Sequence, residues 1–154
     1  MTSIDYSVDD AVPDLPLEYI ATKVDVLVSH PMFSQFPKES VISVAFVHDS
    51  TMTELNHSYR GKNQSTDILT FVYNELLENS ILLGEIIVCT DQAKRDAQEE
   101  HISLEQEYVW LFSHGLLHLL GYDHETDEEF QHMRKLELEL MKYADVNYIE
   151  RGDY

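Results

Sequence analysis

The chain has 154 residues, 44% of them hydrophobic and 25% charged, with 10 Lys and Arg against 29 Asp and Glu for a net charge of −19. That length suits one domain, residues 1–154, able to bury about 68–70% of its unfolded surface without covalent staples. The acidic excess excludes extended, nonspecific binding along a phosphate backbone, so any nucleic-acid substrate needs a local positive patch, a metal ion or a delivering partner.

Residues 3–8 alternate polar and apolar and read as a short strand. Asp14 precedes a proline-punctuated start, and Leu17, Ile20, Val24 and Leu27 give residues 16–30 a helical stripe that Pro31 helps to end. His30 and His48 are isolated and read as structural or solvent-facing. Residues 41–48 form a near-continuous apolar strand, as in a sheet covered on at least one face. Thr51 with Glu54 makes a capping box that predicts a short helix over 51–60, ending at Arg60-Gly61. The loop 61–65 is polar and suited to meeting a substrate. Residues 66–73 and 82–90 are two more strands, joined by a stretch short enough for an antiparallel return.

The single cysteine, Cys89, lies in the second of these strands and reads as core rather than nucleophile. It excludes an internal disulfide, and without a signal peptide or long apolar run the chain reads as cytoplasmic. After Thr90 the pattern turns helical, with Asp91 as candidate cap and Gln92 to Glu100 as body. Ser103 with Gln106 opens a long helix, amphipathic first and then apolar nearly all round, the mark of a buried central helix. Thr126 with Glu129 opens the last helix, running to about residue 143, in which Met133 reads as core filling. Four strands and five helices, strands early and main helices late, predict an α+β fold: a small mixed four-stranded sheet with helices on both sides.

The central helix carries the chemistry. Residues 109–124 are an apolar run holding His114, His118 and His124. His114 and His118 are four residues apart, so they share one helix face about 6 Å apart along the axis, the spacing two imidazoles need for one metal ion. On a straight helix His124 would face about 120° away from His118, but Gly121 can take the left-handed conformation that turns the chain back over the same face. Three buried histidines satisfied only by hydrogen bonds are the competing reading, but Leu116, Leu117, Leu119 and Leu120 offer almost no polar partner. Three protein nitrogens with a fourth position open is the arrangement of a catalytic zinc. Zinc proteases place a glutamate after the first histidine as general base, whereas Gly115 stands here, so peptide hydrolysis loses most of its support.

Residues 114–124, H-G-L-L-H-L-L-G-Y-D-H, resemble the signature of the YbeY family of bacterial metal-dependent endoribonucleases. Leu55 to Arg60, leading to Thr66-Asp67-Ile68-Leu69-Thr70-Phe71, and Gly84 to Val88 resemble the family as well, so the likeness covers nearly the whole chain. Asn63 and Ser65 depart from it, standing where the family usually has an acidic residue and a proline, which bears on the rigidity of that loop. The resemblance implies an α/β/α sandwich and a metal site facing a cleft bordered by the 60–67 loop. It implies one Zn2+ per chain on His114, His118 and His124, and single-stranded RNA cleavage in ribosomal RNA maturation, at the 16S 3′ end and in ribosome quality control. The expected partners are ribosomal RNA and the ribosome or small-subunit proteins, with no membrane and no DNA.

Phosphodiester cleavage builds negative charge on phosphate, which a guanidinium binds bidentately better than an ammonium does. Arg60 is the candidate catalytic residue on that ground, and the resemblance points to it too; its competing role is to contact the last carbonyls of its helix. Arg60 with Lys62, and Lys94 with Arg95, are the cationic clusters expected near the chemistry. Asp123 either orients an imidazole or caps the turn. The rival functions are a zinc amidase or peptidase, which would need Glu85 or another distant carboxylate as base, and a non-catalytic, metal-stabilised ribosome-associated factor.

Overall fold

The computed structural model of the protein describes residues 1–9, 12 and 14–147. Alternation in Thr2–Val8 (β1) and the β-branched run Ser40–Val47 (β2) build two parallel strands. Between them Leu17–Val28 (α1) buries Ile20, Val24 and Leu27, one stripe at helical spacing. Asp49–Arg60 (α2) leads to an antiparallel pair, Ile68–Leu76 (β3) and Ile81–Cys89 (β4). Thr90–Glu100 (α3), Leu104–Leu120 (α4) and Asp127–Tyr143 (α5) follow. The sheet order is β1-β2-β4-β3, with β2 and β4 parallel, so the mixed sheet and its edge strand β3 match the expected α+β architecture.

The main core joins one sheet face to α1, α4 and α5, through residues such as Leu27, Phe46, Ile86, Leu116 and Leu140. On the other face Met52 and Leu55 of α2 cover a smaller cluster of Val47, Leu69, Ile87 and Cys89. Two glycines let α4 approach the sheet. A Cβ on Gly115 would meet Ile86 Cδ1 at 3.1 Å and Ile68 Cδ1 at 3.2 Å, and one on Gly84 would come within 2.7 Å of Leu119 Cδ2 on α4 and strike the Phe71 carbonyl oxygen. Among the described residues no helix is long and apolar enough to cross a membrane.

Both later capping boxes form as expected: the Ser103 and Thr126 hydroxyls accept the Gln106 and Glu129 N–H groups, and those side chains accept in return. The Thr51–Glu54 box does not. Helix α2 starts two residues earlier, and its first N–H, on Asp49, donates to Asp91 Oδ2 at 2.8 Å. Asp91 therefore caps a neighbouring helix rather than its own, which begins after Cys89. A carboxylate brought across the fold replaces the local hydroxyl because it satisfies the same orphan donor and adds favourable charge at the helix N-terminus.

Candidate metal centre

The last two turns of α4 carry His114 and His118 on one face, with their Nε2 atoms 3.0 Å apart. Gly121 then takes φ 105°, the Gly121 N–H donates to the His118 carbonyl at 2.9 Å, and the Tyr122 N–H reaches the Leu117 carbonyl at 3.1 Å. This is a Schellman close. It reverses the chain, and the Asp123 carboxylate fixes the next step by accepting the His124 N–H at 2.8 Å. The His124 ring consequently lies 5.3 Å from each of the other two, and one ligand atom from each histidine falls within 4.8 Å of the others. Of the two roles considered for Asp123, its observed contact is with the backbone of the turn.

His118 is held neutral: burial first, then repulsion from His114 and His124, pull its pKa down to about 4. His114 is 5% exposed, stacks on Trp110 at 5.5 Å and 23°, and has Nδ1 2.7 Å from Glu137 Oε2. A cation with nitrogen bonds of about 2.0–2.1 Å in tetrahedral geometry holds its nitrogens about 3.3 Å apart. The 3.0 Å approach of the His114 and His118 nitrogens, with a third imidazole beside them, fits such an ion and leaves one corner open.

Asp49, Cys89 and Asp91 also cluster within 4.8 Å, but their charges are spent. Arg95 binds both Asp49 oxygens at 2.8 and 2.7 Å and holds that carboxyl far below the usual range. Burial pushes the fully enclosed Cys89 thiol up, as a core cysteine rather than a nucleophile. The expectation that Lys94 and Arg95 stand near the chemistry is thereby corrected: Arg95 is committed to Asp49, and neither residue lines the cleft.

That cleft, about 580 Å3, is lined by the three histidines, Trp110 and Asp123 together with Arg60, Lys62, Asp67 and Thr70. Arg60 is the final residue of α2, but the Asn56 and His57 carbonyls there are met by the Lys62 and Gly61 N–H groups. Among the described residues the Arg60 guanidinium has no hydrogen-bond or ion-pair partner, so it is not spent as a cap. Despite Asn63 and Ser65, the loop is anchored: buried Asn56 donates from Nδ2 to the Gln64 carbonyl at 2.9 Å. Glu85 lies beside Ser43 and Tyr73 and does not line the cleft, so the carboxylate a peptidase would need from it is not there.

Three residues were given no role in the sequence reading: Asp67, whose carboxyl burial pushes up, Trp110, and Glu137. Asp67 stood within a stretch that resembles the family, and Glu137 had a signal in its pattern. With Met133, Leu140 and Met141 it occupies the buried stripe of α5, where a lone charge is out of pattern.

A family model described as Endoribonuclease YbeY matches residues 10–145. A protein of Janthinobacterium sp. named Endoribonuclease YbeY is 34% identical over 139 residues, 87% of this chain and 90% of its own. One of the same name from Thermodesulfovibrio yellowstonii is 46% identical over 110 residues, 68% of this chain and 67% of its own. The solution structure of a Thermotoga maritima protein superposes with a TM-score of 0.57 at 28% identity, covering 92% of this chain and 90% of that one.

Proposed function

The chain belongs to the YbeY endoribonuclease family, and on that premise we propose that it is a metal-dependent endoribonuclease cutting single-stranded RNA in ribosomal RNA processing. The observation that carries the reading is that three converging imidazoles share one cleft with a guanidinium that has no hydrogen-bond or ion-pair partner among the described residues. His114, His118 and His124 are the metal ligands, and the ion is Zn2+, for which an all-imidazole site with an open corner is suited. When bound there, the cation supplies electrophilic activation of a phosphoryl oxygen or of water. Arg60 receives the scissile phosphate, its fork matching two phosphate oxygens, and Lys62 adds a second positive charge in the same cleft. The whole chain, residues 1–154, serves as one catalytic unit in the cytoplasm, and the 16S 3′ end and small-subunit proteins are its expected substrate and partners.

The test is cleavage of a short unstructured RNA and of casein by metal-replete protein. RNA scission lost on chelation and restored by Zn2+, with casein untouched, is expected. Full metal occupancy without cleavage of any RNA, ribosomes included, would overturn the nuclease.

A further inference from the structure

We propose that Glu137 is the positioning residue of the metal centre: its carboxylate accepts the Nδ1–H of His114 and so turns the Nε2 lone pair into the cleft. The proposal rests on reading the three histidines as a metal site. Glu137 is 0% exposed, on a different helix from the histidines, and its Oε2 stands 2.7 Å from His114 Nδ1. Its other oxygen, Oε1, is buried without a hydrogen-bond partner among the described residues. A buried carboxyl group with one oxygen left unpaired is costly for the fold to keep.

Its position accounts for its retention. An imidazole has two nitrogens, and a partner on one decides which is left to bind a cation. His114 Nε2 and His118 Nε2 already face each other at 3.0 Å, so the proton of His114 must sit on Nδ1 for both lone pairs to converge. Glu137 is the acceptor that keeps it there. Trp110, stacked on the ring at 5.5 Å, restrains its tilt. A carboxylate also raises imidazole basicity, which an amide of the same shape does not. Because Glu137 is enclosed behind His114 and does not line the cleft, it positions the site without touching substrate.

Glu137→Gln keeps the shape and removes the charge, and Glu137→Asp keeps the charge but withdraws it from reach. Zinc affinity is measured by chelator competition, and melting temperature with and without Zn2+. Both variants should bind zinc about 10- to 100-fold more weakly. The metal-free Gln variant should melt no lower than the metal-free parent, so that the gap opens only when zinc is added. In the metal-free parent, long-range proton–nitrogen NMR should find His114 protonated on Nδ1. Parent-like zinc affinity in both variants, or a parent His114 protonated on Nε2, would overturn the role of Glu137. A parent protein that binds no zinc at all would instead overturn the metal-site reading itself.

Discussion

At His118 burial and two neighbouring rings oppose a proton, so the native pKa is about 4 while the unfolded chain titrates near 6.5. Between those values the unfolded state takes up a proton that the native state refuses. This contribution to the stability of the metal-free protein is therefore complete above pH 6.5, declines as the pH falls towards 4 and is gone below it. The urea midpoint should drop across that window, and His118→Ala should flatten the drop while abolishing zinc stoichiometry. An unchanged metal content in His118→Ala would remove that residue from the ligand set. Arg60 behaves differently because, among the described residues, its head group has no hydrogen-bond or ion-pair partner. Arg60→Ala should lower kcat on the order of 100-fold, with zinc content and melting temperature kept, as measured by steady-state kinetics and calorimetry on one preparation.

At the scale of elements, the contact of α4 with β3 and β4 sets how deep the histidines lie. Gly115 is in that contact, facing Ile86 and Ile68, so its missing side chain makes room for the sheet. Gly115→Glu would complete the peptidase-like motif, yet it drives a carboxylate into apolar packing. It should destabilise the protein by at least about 2–3 kcal/mol, lowering the melting temperature, with no casein turnover. The end of α4 is equally dependent on backbone. Gly121 at φ 105° has open space around it, so Gly121→Ala is penalised by conformation rather than by collision. A cost of about 1–2 kcal/mol is expected, together with weaker zinc binding as His124 loses its aim. Loss of stability with parent-like zinc affinity would separate the cap from the site.

The molecule as a whole carries a net charge of −19 and, among the described residues, places only Arg60 and Lys62 of its lysines and arginines on the cleft. Two phosphate contacts to a single strand give a salt slope of about −1.4 in log affinity against log concentration. Repulsion from the acidic remainder flattens it further, because salt screens that repulsion too. RNA binding measured by fluorescence anisotropy should therefore show a slope shallower than about −1.5; a slope several times steeper would indicate a second, larger RNA contact.

Features written in neighbouring residues were legible in the sequence: the strands, the helices with their Ser103 and Thr126 caps, and the His114–His118–Gly121–His124 turn. Periodicity, the Ser103 and Thr126 caps and left-handed glycine act over a turn or two of chain. Local order therefore suffices for them where no distant group competes, as Asp91 does at the start of α2. Contacts between distant parts of the chain were decided by the tertiary structure. Asp91 caps a helix 42 residues away, Arg95 is drawn off to Asp49, and Glu137 reaches His114 across 23 residues. Each depends on which helix faces are buried together. Packing decides that through total apolar area and close fit, which no local spacing records.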